Sequence, residues 1–230
     1  MIKQEKIIKP AQFAEQQLIK AIINESWKAG DKLPPERELA QLLGITRPTL
    51  REALQRLARD GWITIKHGKP STVNDYKNTG GLGVLKSLVS VSQTIPDSLI
   101  CDWLDFRILI FPSLAEKAIV ENKEIVLSIL SNFPKLNTIS SEFALFDWNL
   151  QMTIVKASNN SVAKMLYNDL SGIYVSESIK YFEKEQTRKT SLLYYKELKN
   201  AITANNEIKN IVMAAMQESL KLWKQIKSSL

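Results

Sequence analysis

The stretch Leu33-Pro-Pro-Glu-Arg-Glu-Leu-Ala-Gln-Leu-Leu-Gly-Ile-Thr-Arg-Pro-Thr-Leu-Arg-Glu-Ala-Leu-Gln-Arg-Leu-Ala-Arg-Asp-Gly-Trp62 decides how the front of this chain folds. It reads as two helices around a tight turn. Pro35 suits a first helical turn, where its missing N–H would have no partner. Gly44 suits the position just past a helix end. Thr46 predicts the N-cap of the second helix, its hydroxyl accepting a backbone N–H of the first turn. Within that helix Leu50, Ala53, Leu54 and Leu57 share one stripe, and Pro48, Arg51, Gln55 and Arg59 lie on another side. A short apolar helix, a glycine turn and a helix opening on arginine make a helix-turn-helix pattern.

Working outward, Trp62-Ile-Thr-Ile65 and Ser71-Thr-Val-Asn74 flank the basic turn Lys66-His-Gly-Lys-Pro70, which predicts two short strands forming a wing. Upstream, a helix is predicted from Pro10 or Ala11 to about Trp27, with Leu18, Ile19, Ile22, Ile23 and Trp27 on the face that packs behind the pair. Leu33 predicts a short edge strand. Downstream, Asp75–Gly83 is polar and then glycine-rich, which reads as a linker. Beyond it the spacing predicts helices over 83–92, 96–121, 123–133, 140–157, 161–183, 187–204 and 206–228, with breaks at Asn159-Asn160 and Asn205-Asn206. Pro112 predicts a kink or split near Ile108–Pro112. The expected fold is an α+β winged helix-turn-helix domain over 1–76, a linker over 77–83, and an all-α helical bundle over 84–230.

Composition narrows the function. The 230 residues carry a formal charge of +7, denser in the first third, which favours an anionic partner. Lys3, Lys6, Lys9, Glu15 and Lys20 interrupt any leader-like apolar run. No apolar stretch reaches the roughly 18 residues of a membrane span. The expectation is a cytoplasmic protein with no membrane partner. Cys101 is alone, beside Ile100 and Trp103, and reads as core filler. No Gly-x-Ser-x-Gly elbow, phosphate-loop motif or metal-ligand cluster is present, so no enzymatic role and no cofactor are expected.

The run Leu33–Leu57, with the wing around His67 and Gly68, resembles the winged-helix domain of the GntR family of bacterial regulators. Gln55-Arg-Leu-Ala-Arg-Asp-Gly-Trp62 and His67-Gly-Lys-Pro70 are most similar to its acyl-CoA-responsive members, which govern fatty acid metabolism. The likeness is strong over 10–75 and looser beyond. It implies operator contacts by Arg37, Thr46, Arg47, Thr49, Arg51, His67 and Gly68 on a double-stranded, palindromic DNA operator bound by a homodimer. Their chemistry agrees. Arginine early in a recognition helix can donate twice to the guanine O6/N7 edge, while threonines and Arg37 suit phosphates. Lys66 and Lys69 would neutralise phosphates beside the wing. Pro48 departs from the closest members, which carry a hydroxyl residue there.

For the bundle, the resemblance offers two kinds of sensor. Many relatives hold a divalent metal through an aspartate and three histidines. The single histidine here is His67, in the wing, so that site cannot be built. The other kind senses long-chain fatty acyl-CoA, and the matching positions are Arg107, Asp147, Asn149, Tyr174, Tyr181, Ser219 and Trp223. Where the closest members carry consecutive arginines, then tyrosine and glycine, this chain has Met213-Ala-Ala-Met216. The nucleotide end is then expected to lean on Lys209, Lys221 or Lys224, or the ligand differs; the methionines could instead line an adaptable apolar channel. The implied function is repression of fatty acid degradation genes and activation of unsaturated fatty acid synthesis genes, relieved by acyl-CoA. The alternatives are a GntR-type regulator of another ligand not held by metal, an acyl-CoA-handling enzyme, and a non-specific architectural DNA binder.

Overall fold

Helix α1 (Pro10–Ile23) buries Ala14, Leu18, Ile19 and Ile22 against helix α3 (Arg47–Asp60), whose buried stripe is Leu50, Ala53, Leu54 and Leu57. The computed structural model describes residues 9–88, 91 and 95–228. The expected extension of α1 to Trp27 does not form. Glu25 takes φ 58, and the Ser26 and Trp27 amides turn back to the Ala21 carbonyl, which ends the helix early. Helix α2 (Glu36–Leu43) begins just after Pro35, which caps it, and stops at Gly44 with φ 66. That left-handed conformation is the reason for glycine there. Thr46 caps α3, its hydroxyl accepting the Thr49 amide at 3.4 Å.

The wing is shorter than the spacing predicts. Strands β1 (Ile63–Thr64) and β2 (Thr72–Val73) pair antiparallel, Ile63 opposite Val73 and Thr64 opposite Thr72. Lys32 adds a single bridge to Thr72, and the Leu33 amide donates to the Ser71 carbonyl, so the edge strand is one bridge long. Trp62 is fully buried and donates its indole N–H to Ser87 at 2.6 Å.

The segment read as a linker carries structure. Asp75 caps a short helix α4 (Tyr76–Thr79), and helix α5 (Leu82–Leu88) follows and packs on α3. The glycines here serve close approach. A Cβ on Gly80 would stand 2.3 Å from the Tyr76 carbonyl oxygen, and one on Gly83 would stand 3.0 Å from the Asp60 backbone. The chain divides into two compact units, 1–95 and 96–230, which places α5 with the winged unit rather than with the bundle.

The second unit holds helices α6 (Asp97–Leu130), α7 (Ser140–Ala157), α8 (Ser161–Phe182), α9 (Glu185–Thr203) and α10 (Lys209–Ser228). Helix α6 is central and packs on α7, α9 and α10. The split expected near Pro112 does not occur. Pro112 is buried inside a continuing helix, and the break falls at Asn122, where φ is −150 and ψ is 48. That position agrees with the boundary predicted between 121 and 123. Asn159 and Asn205 both take φ 53 at the predicted interruptions, a conformation asparagine tolerates better than other side-chain-bearing residues. Phe111, Phe143, Leu150, Tyr167, Phe182 and Tyr195 fill the core.

Candidate functional site

Local backbone geometry sets up an exposed face on the winged unit. The N-cap turn holds the Thr46 and Thr49 hydroxyls 2.8 Å apart and presents Arg47 and Arg51 outward, their side chains 57% and 59% exposed. Arg37 is exposed on α2. His67, Gly68 and Lys69 are exposed at the wing tip, where Gly68 has φ 69 and the Lys69 amide closes the turn onto the Lys66 carbonyl at 3.1 Å. All eight residues singled out in the sequence therefore lie on the surface of this unit.

Glu36 is a participant the sequence reading missed. Its carboxylate accepts from Arg51 Nε at 2.7 Å and stands 3.9 Å from an Arg47 terminal nitrogen. Because the contact uses Nε, both terminal amines of Arg51 keep their donors for another acceptor. The signal was present, a carboxylate at the opening of the helix before two arginines, but the fifteen-residue separation is bridged only by the turn. Glu52 and Arg56 form the expected i, i+4 pair at 2.6 Å. Arg56 also reaches Glu15 at 3.5 Å; burial nevertheless raises the Glu15 carboxyl above its ordinary pKa, with Arg56 opposing.

The second unit encloses a cavity of about 510 Å³ among α6–α10. Arg107, Asp147, Tyr174, Tyr181, Ser219 and Trp223 line it, as do Gln151 and Tyr194. Asn149 does not: it is exposed on α7 and away from the lining, because two residues beyond Asp147 a helix has turned to its other side. Ala214, Ala215 and Met216 line the cavity, whereas Met213 faces outward.

At one end the polar groups interlock. Arg107, 3% exposed, donates to the Tyr174 hydroxyl at 3.1 Å and to Ser219 Oγ at 2.5 Å. Tyr174 donates to Asp147 and accepts from Gln151; the same Asp147 accepts from Gln151 at 2.9 Å and from Tyr195 at 2.7 Å. One network thus joins all five helices of the unit. Burial works against the Arg107 charge, but the Tyr174 oxygen and the Asp147 carboxylate more than offset it and lift its pKa above the ordinary arginine value. Burial likewise raises Tyr167, Tyr174, Tyr181, Tyr194 and Tyr195 well above the usual phenol range. These hydroxyls stay protonated. Arg107 Nε, Gln151 Oε1, the Tyr181 and Tyr194 hydroxyls and the Trp223 indole N–H have no hydrogen-bond partner among the described residues. Of the network, Gln151 was foreshadowed by its place one turn after Asp147, and Tyr195 by nothing local.

Among the described residues, no group of three or more His, Cys, Asp or Glu is placed to hold a metal ion, and no helix is long and apolar enough to cross a membrane.

A winged helix-turn-helix with outward arginines, in one chain with a helical bundle around a ligand-sized cavity, is the build of a transcriptional regulator rather than an enzyme. The chain belongs to the GntR-type regulators with a FadR C-terminal domain: residues 10–73 match "Bacterial regulatory proteins, gntR family" and residues 74–230 match "FadR C-terminal domain". Similar proteins include the fatty acid metabolism regulator protein of Pectobacterium atrosepticum, 34% identical over 96% of this chain and 93% of that protein. The proteins of the same name from Proteus mirabilis (35%, 96% and 93%) and Shewanella pealeana (36%, 86% and 82%) agree with it. Among solved structures, Lar of Listeria monocytogenes shares the fold with a TM-score of 0.59 at 14% identity, covering 96% of this chain and 99% of that one.

Proposed function

We propose that this chain is a homodimeric, cytoplasmic transcription factor of fatty acid metabolism, released from a palindromic double-stranded operator by long-chain fatty acyl-CoA. On this reading, which the family resemblance implies, it represses degradation genes and activates unsaturated fatty acid synthesis genes. Arg37, Thr46, Arg47, Thr49 and Arg51 contact the major groove and its phosphates, with His67, Gly68 and Lys69 at the flanking minor groove. Arg107, Tyr174, Tyr181, Ser219 and Trp223 meet the effector; Asn149, exposed outside the lining, is dropped from that set.

The observation that carries this reading is the cavity of about 510 Å³, lined by residues of α6–α10 and bearing buried polar groups without partners among the described residues. A ligand that shifts the protein between two states must bind one of them better, and operator must then weaken ligand binding by the same factor. Titration with a long-chain acyl-CoA, with and without a duplex selected by the protein from random sequence, tests both halves. Operator affinity should fall at saturating ligand. Unchanged affinity refutes the reading in favour of another effector, which mass spectrometry of co-purified small molecules would identify.

A further inference from the structure

Resting on the reading of the cavity as an acyl-thioester site, we infer that the effector is recognised through its acyl chain and the uncharged, amide-bearing pantetheine arm, and that the nucleotide phosphates draw no attraction from the protein.

The charges around the cavity point this way. Four carboxylates line it, Asp147, Glu177, Glu197 and Glu218, against a single cation, Arg107. Arg107 is buried and already committed to Tyr174 and Ser219. None of the three lysines the sequence offers to phosphate, Lys209, Lys221 and Lys224, lines the cavity; Lys209 pairs with Glu116 at 3.4 Å, and Lys221 with Glu218 at 3.3 Å. Lys180 neutralises Glu177 at 2.8 Å without joining the lining. With Glu177 and Glu218 paired to lysines and Asp147 held in the network, a polyanion at the cavity meets chiefly the exposed Glu197, and like charge brought together costs affinity.

The unpartnered groups point the same way. Arg107 Nε and the Trp223 indole N–H only donate, Gln151 Oε1 only accepts, and the Tyr181 and Tyr194 hydroxyls can do either. Each of these residues is at least nine-tenths buried, so a bound molecule must satisfy them or leave their desolvation cost standing. A chain of amides with a thioester carbonyl supplies acceptors along its length and N–H donors between them. A bare carboxylate supplies no donor for Gln151. Among the lining residues a phosphate would find Arg107 as its one cation, buried and already donating to Tyr174 and Ser219.

The test is calorimetric titration of the full-length protein with one long-chain acyl group carried on three heads: coenzyme A, pantetheine, and the free acid. The thioesters should bind within about threefold of each other, and the affinity of acyl-CoA should not fall as salt is raised, since no counter-charge is screened. The isolated nucleotide fragment should not compete. Glu197→Lys, an exposed lining position, should tighten acyl-CoA relative to acyl-pantetheine. If acyl-CoA binds tenfold or more tightly than acyl-pantetheine (about 1.4 kcal/mol), or if its binding weakens with salt, the inference is overturned while the acyl-CoA reading stands. Tightest binding by the free acid also overturns it. Should none of the three bind, the acyl-CoA reading itself falls.

Discussion

The winged unit and the bundle place their polar groups in opposite ways. On the winged unit, Arg47 and Arg51 are more than half exposed and, among the described residues, pair only with Glu36. In the bundle, Arg107 is 3% exposed and wired through Tyr174 to a carboxylate that two further side chains, Gln151 and Tyr195, also serve. An exposed guanidinium contributes little to stability and remains available for a partner. A buried one is part of the structure that holds it. Function can therefore be removed from the first unit without unfolding it, while in the second unit site and fold share the same atoms.

Four measurements would sharpen or break that contrast. The largest effect is expected at high pH. An unfolded tyrosine gives up its proton near pH 10, whereas burial keeps Tyr167, Tyr174, Tyr181, Tyr194 and Tyr195 protonated in the folded bundle. Their stabilising contribution is complete below pH 10 and is lost as pH rises toward the raised values, by up to about 1.4 kcal/mol per pH unit for each group. Tyrosinate absorbance should lag far behind that of the denatured chain and then appear together with unfolding; early titration of these phenols would deny their burial.

Next comes Asp147→Ala, which strands the Arg107 cation. A loss of about 3–5 kcal/mol is expected in denaturant unfolding of the second unit, and a loss under 1 kcal/mol (about the worth of an exposed pair) would show that the network is not integral to the fold. Arg47→Ala should leave stability nearly unchanged and cost about 1–3 kcal/mol in preference for the operator over a scrambled duplex. Retained discrimination would remove α3 as the reading element. Smallest is Thr46→Ala, which should cost about 1 kcal/mol of stability through the lost cap; no change in melting temperature would mean that the 3.4 Å contact contributes nothing.

The same contrast explains what could be read from the sequence. The exposed face is built by neighbours: Gly44, the Thr46 cap and the first turn of α3 are contiguous, so their geometry is written in residue order. Each candidate contact residue fell on the surface. The cavity is built by residues up to 112 positions apart, as with Arg107 and Ser219. Helical spacing showed which residues face inward, but not which inward faces meet, so Tyr195 and Gln151 went unnoticed. Matching by resemblance alone carried Asn149 to a solvent-facing position. Glycine misled in one place, since Gly80 and Gly83 read as slack in a linker yet stand where a side chain would collide with the Tyr76 carbonyl and the Asp60 backbone. Pro112 misled in another, for the α6 break lies at Asn122.

Gly68 poses the reverse situation. Nothing lies within 4 Å of where its Cβ would stand, so handedness and not crowding bars a side chain from φ 69. A mirror-image alanine would sit at the wing tip without strain. It would thereby separate two roles that any ordinary substitution confounds, the shape of the turn and the bareness of the backbone at the tip proposed to meet DNA.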